Sequence, residues 1–168
     1  MNNTRKKTSQ ILEDFFQRKD MVFYRRDVNE NIVTFVLPYS ITKQKIKFDI
    51  QIVVFNDENI CRMSFSRELN EETDYSSELL DMNSSLVHGK ISVEKDSNQV
   101  TYTLHFTISE EQTVEKEYND AFEQCLGSLA RLYSKNLIKN RGTNYEYEEK
   151  DSFISSCLFW HSLPIDCI

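Results

Sequence analysis

The chain has 168 residues, 39% apolar and 28% charged, with 20 basic against 27 acidic side chains and a formal net charge of -7, the profile of one ordinary globular domain. Only three Gly and two Pro are present, and Gly89, Gly127 and Gly142 stand far apart, which excludes P-loops and dinucleotide fingerprints because both need clustered glycines. The acidic balance argues against nucleic acid as a partner, since non-specific affinity there comes from neutralising phosphates.

Thr8 to about Lys19 reads as a first helix with Ile11, Leu12, Phe15 and Phe16 on one face. Two extended runs follow, Met21 to Arg26 and Ile32 to Pro38, joined by the turn-forming stretch Asp27 to Asn31. Lys45 to Phe55 and Ile60 to Ser66 form a second hairpin across Asn56-Asp57-Glu58-Asn59. In its second strand Cys61, Met63 and Phe65 point one way and Arg62, Ser64 and Ser66 the other. Leu69 to Thr73 reads as an acidic loop. A second helix, capped by Thr73 or Asp74, carries Tyr75, Leu79, Met82 and Leu86 on one face and is closed by Gly89.

The third hairpin pairs Lys90 to Lys95 with Gln99 to Ile108. Val100, Tyr102, Leu104, Phe106 and Ile108 alternate with Thr101, Thr103, His105 and Thr107, a pattern that buries one face and wets the other. Ser109 to Gln112 has the form of a capping box. It opens a third helix, expected to run to about Lys139, with Val114, Tyr118, Phe122, Cys125, Leu129 and Leu132 as its apolar stripe and with Gly127 and Ala130 as packing positions. The core domain is therefore residues 1–140. Residues 141–168 are a tail bearing a last apolar segment that includes Phe153, Phe159 and Trp160.

The order is α-ββββ-α-ββ-α. Sequential hairpins imply a mostly antiparallel sheet of about six strands with helices packed on one face, an α+β fold. The strand order does not follow from sequence. The longest uncharged apolar run is about residues 50–55, well short of the ~20 residues that cross a bilayer. The basic cluster Arg5-Lys6-Lys7 is followed by an apolar stretch that Glu13-Asp14 breaks, unlike a signal peptide. The four cysteines form no CxxC pair. A cytoplasmic protein is expected.

At this point the stretch from Leu79 to Val93, with Asn83 in a helix and Gly89 before a strand, resembles the YbjN family, as does the front end from the first helix through Val22-Phe23-Tyr24 to Leu37. The resemblance covers about residues 8 to 139. It implies a fold similar to type III secretion chaperones: a small, acidic, dimeric domain that binds polypeptides and has no catalytic site. It supplies no catalytic residue, and Asn83 and Gly89 carry over as structural positions only.

The residues themselves point the same way. Cys61 and His105 fall on opposite sheet faces, so they do not form a nucleophile and base. Cys157, His161 and Cys167 match no standard zinc spacing, and the acidic clusters lack the pattern of a calcium loop. No catalytic residue, metal or cofactor is expected. The expected function is a non-enzymatic, protein-binding regulator or chaperone-like adaptor, a homodimer with a polypeptide partner. Arg62, Thr101, Thr103 and His105 on the wet sheet face, and Phe153, Phe159 and Trp160 in the tail, are the candidate binding residues. Two alternatives stand beside it: a small-molecule sensor with a pocket between helices and sheet, and an acidic inhibitor of a basic partner protein.

Overall fold

The structure, a computed structural model, describes residues 6–41, 46–70, 75–139 and 165–167. Its elements run α1 (Thr8–Arg18), β1 (Tyr24–Asp27), β2 (Ile32–Ile41), β3 (Ile46–Phe55), β4 (Ile60–Glu68), α2 (Ser76–Ser85), β5 (Lys90–Glu94), β6 (Gln99–Thr107), α3 (Val114–Ser134) and β7 (Ile165–Cys167). The strands form one antiparallel sheet in the order β1-β2-β3-β4-β6-β5. The expected α+β architecture is present, and the six expected strands are joined by a seventh. β7 pairs with Tyr39 to Ile41 of β2, on the same side of β2 where β1 pairs with Val33 to Val36.

Alternation decides the two faces. Phe35, Leu37 and Tyr39 of β2, Phe48, Ile50, Ile52 and Val54 of β3, and Cys61, Met63 and Phe65 of β4 are all buried. The apolar stripes of α1 and α3 cover them. Phe16 packs edge-on against Phe35 and Tyr118, and Phe122 lies against Tyr39 with ring centroids 4.8 Å apart. The hydroxyls of Tyr39 and Tyr118 share a 2.6 Å hydrogen bond inside this aromatic layer, so both rings are buried with a polar atom satisfied.

Several boundaries differ from the sequence reading. Pro38 does not end a strand: it sits buried within β2, opposite Asp49. It occupies one of the two positions between the β1 and β7 pairings, where no described strand pairs with the outer edge of β2 and a missing N–H costs least. The capping box at Ser109 does not form. α3 begins at Val114 with Thr113 as N-cap and no side-chain cap, while the Ser109 N–H donates to the Glu117 carboxylate at 3.3 Å. α3 also ends at Ser134 rather than near Lys139. Asn136 takes a left-handed φ of 55°, and the chain leaves the helix so that Leu137 and Ile138 are buried. Ile138 bridges Leu69, so Leu69 is core rather than loop. Arg67 fastens this junction, donating to the Lys47 carbonyl at 2.7 Å and the Lys139 carbonyl at 3.1 Å.

α2 ends at Ser85 with Leu86 as C-cap, so Gly89 closes the connection to β5 rather than the helix. Its φ is +85°, and a Cβ there would lie 2.5 Å from the Tyr102 hydroxyl, which leaves glycine as the residue that fits. Gly127, expected to be a packing position, is exposed, and a Cβ built on it meets nothing within 4 Å. The expected caps Thr73 and Asp74 lie outside the described residues. No described helix is long and apolar enough to cross a membrane.

Candidate functional site

The cross-strand register brings the four candidate sheet residues together. Arg62 lies opposite His105, Ser64 opposite Thr103, and Ser66 opposite Thr101, with Ser66 Oγ and Thr101 Oγ1 2.7 Å apart. Arg62 and His105 are exposed, and Thr101 and Thr103 half-buried. They share the wet face of β4 and β6, as alternation predicts. Phe153, Phe159 and Trp160 lie outside the described residues, as do the side chains of Cys157, His161 and Cys167.

The concave surface lies elsewhere, at the edge of β6. β5 pairs with β6 only from Gln99 to Thr103. Beyond it, among the described residues, no strand covers Leu104 to Thr107 on the side away from β4. A cleft of about 250 Å³ runs along this stretch, walled by Leu104, His105, Phe106 and Thr107 and roofed by the α3 residues Glu117 and Asp120. Four consecutive strand residues alternate between faces, so a cleft that touches all of them sits at the strand's edge. A second cleft of about 230 Å³ lies between Leu86 and Val87 on one side and Gly127, Ser128 and Arg131 on the other. His88 and Gln124 line both clefts, so the two adjoin, and together they are called the trough along α3.

One pair of hydrogen bonds covers part of the outer edge of β5. The Asn83 side chain donates to the Ile91 carbonyl and accepts from the Ile91 N–H, both at 2.8 Å. This amide stands in for a neighbouring strand at Ile91, one of the β5 positions where another chain would pair. The Tyr102 hydroxyl donates to the His88 carbonyl at 3.1 Å, fixing the turn that leads into β5. Burial pushes the Tyr102 phenol up, with a Ser128 hydrogen bond acting in the other direction, so this donor stays protonated at neutral pH. Sequence reasoning singled out Asn83 and Gly89 through the YbjN resemblance but missed the trough. Its one visible signal is that the last strand is longer than its hairpin partner.

The trough is lined by mixed polar and apolar side chains. Cys61 faces the core and His105 the opposite side, and burial pushes the Cys61 thiol up to about 12 and raises that of Cys125 as well, so neither is a ready nucleophile. Among the described residues, no three His, Cys, Asp or Glu side chains come together closely enough to hold a metal ion. Each cleft, of about 230 and 250 Å³, is smaller than the roughly 300–1,000 Å³ of a small-molecule pocket.

Fold and site together define a helix-covered antiparallel sheet with one edge strand left partly open beneath a helix. No protein-family model matches the chain, and no curated protein matches it in sequence. Its structure is similar to the crystal structure of YbjN, a candidate transcription regulator from E. coli, with a TM-score of 0.56 and 14% sequence identity over 76% of this chain and 92% of that one. At that identity the likeness is one of fold: the chain has a YbjN-like fold.

Proposed function

We propose that this protein is a non-enzymatic polypeptide-binding module, a small acidic cytoplasmic adaptor or regulator that works as a homodimer. The observation that carries the reading is the uncovered edge of β6 from Leu104 to Thr107 beside a trough under α3. Backbone N–H and C=O groups at such an edge take an added strand, and the neighbouring groove receives its alternate side chains. The YbjN-like fold supports a regulatory role, and the net charge of -7 favours a protein target over nucleic acid.

The test is co-purification from native cytosol followed by mass spectrometry, using the full chain, a chain truncated after residue 140, and a Gln124→Trp variant that fills the trough where its two clefts meet. A stoichiometric partner kept by the first two and lost by the third is the expected result. Failure to recover any partner, or retention by the filled variant, overturns the reading. Light scattering on the same samples checks the dimer, which should have twice the 19.9 kDa chain mass.

A further inference from the structure

Given the strand-addition reading, on which this inference rests, the charges along the trough point to one kind of occupant. Asp120 and the half-buried Glu117 stand over the open β6 edge, and Arg131 stands at the far end of the second cleft, where its Nη1 donates to Ser85 Oγ at 3.3 Å. α3 carries acidic side chains at 115, 117, 120 and 123 against the single base Lys116 in the same span. The half of α3 that roofs the open edge is therefore acidic, and the half that roofs the closed turn is not.

Among the described residues neither Glu117 nor Asp120 has a Lys or Arg ion-pair partner, and the bases that line the same cleft are His88 and His105. The ion pairs that hold the acidic groups nearby go to other residues: Lys6 to Glu111 and Lys19 to Glu115. Among the described residues the Glu117 carboxylate accepts a neutral N–H, from Ser109. From position 117 to position 131 a helix rises about 21 Å, which an extended chain spans in about six residues at ~3.3 Å each. In the second cleft, Gly127 offers backbone at the wall, with open space where a Cβ would stand. A helix interior disfavours glycine, and no packing contact here calls for it.

We infer that the trough selects an extended segment of about six residues carrying Lys or Arg at the end that meets Glu117 and Asp120, with an uncharged side chain passing Gly127. Uncharged and acidic segments are the competitors it rejects, the first by lack of attraction and the second by repulsion.

The probes are three capped seven-residue peptides of alternating Val and Thr that end in two Lys, two Gln or two Glu, each with a fluorophore, titrated with the full-length protein. The lysine peptide is expected to bind at least tenfold more tightly than the glutamine peptide, the glutamate peptide more weakly still, and the advantage to shrink as salt rises. Asp120→Lys, an exposed change with no fold contact in the structure, should reduce or reverse the order. Amide chemical shifts should move at Leu104 to Thr107. If the lysine and glutamine peptides bind equally, charge selection is wrong while strand addition stands. If none of the three moves the β6 amides, both fall. A lysine preference that survives Asp120→Lys unchanged also overturns the inference, because the selecting charge then lies elsewhere.

Discussion

Asn83 and the two described glycines carry different burdens, and substitution should separate them. Asn83 supplies both a donor and an acceptor to Ile91, so Asn83→Ala is expected to lower unfolding stability by about 1–3 kcal/mol, read as a shifted urea midpoint. Asn83→Asp should be no better, since a carboxylate cannot donate to the Ile91 carbonyl. Gly89→Ala combines a positive φ with a Cβ 2.5 Å from Tyr102 and should be destabilising. Gly127→Ala is the opposite case: with nothing near its Cβ, it should raise stability by roughly 0.5–1 kcal/mol through helix propensity. If both glycine variants shift the midpoint in the same direction, the distinction drawn between them is wrong. The sharp turns show the same economy in glycine, since Asp20, Asn59, Asn98 and Asn136 all take φ between 51° and 55°, the left-handed region that Asn and Asp tolerate best after Gly.

Among the elements, α1 shows how a helix lacking its own cap is finished by another part of the chain. Lys7 at its N-cap makes no side-chain cap. The Asn56 side chain, from the turn between β3 and β4, accepts the Ser9 N–H at 2.9 Å, and the Thr8 hydroxyl lies 2.9 Å from Asn59 Oδ1. Asn56→Ala should therefore cost about 1 kcal/mol, the usual value of an N-cap, with the loss appearing as weaker hydrogen-exchange protection at the start of α1. Unchanged protection there would show that the cap contributes nothing. The two ends of the sheet differ in kind. At one, β1 and β7 share the outer side of β2. At the other, Asn83 caps Ile91 of β5, and no described strand covers the end of β6. Because trough and tail strand sit at opposite ends of the strand order, truncation after residue 140 should leave peptide binding within about twofold of the full chain; a tenfold loss would move the binding surface to the tail.

For the whole molecule, the two buried cysteines set an alkaline limit. Burial, joined at Cys61 by the charge of Glu117, raises Cys61 from 9.0 to about 12 and also raises Cys125. Between pH 9 and 12 the unfolded chain gives up protons that the folded chain keeps. Stability is thus fully present below pH 9 and falls as pH rises, by about 1.4 kcal/mol per pH unit for each thiol. Tyr102, also raised by burial, adds to the fall above pH 10. Urea midpoints measured from pH 8 to pH 11 should show this slope, and Cys61→Ala should flatten it whatever it does to stability at pH 8. An unchanged slope in that variant would mean the thiol ionises in the folded state.

The sequence by itself determined which residues are inside. Period-2 alternation in β4 and β6 and the stripe on α3 fixed the buried faces, since any other register would expose Met63, Leu104 or Phe122, and hairpins in succession fixed an α+β class with an antiparallel sheet. It also placed Arg62, Thr101, Thr103 and His105 on one wet face. Only the tertiary structure decided the strand order, the in-strand place of Pro38, the late start of α3 and the trough. Each of these depends on partners outside the local repeat: β4 beside β6 across the intervening α2 and β5, β7 beside β2, Glu117 reaching back to Ser109, and Asn83 reaching ahead to Ile91. Local periodicity says which way a side chain faces. It carries no information about which strand lies alongside, and an unpaired edge is a property of that neighbour.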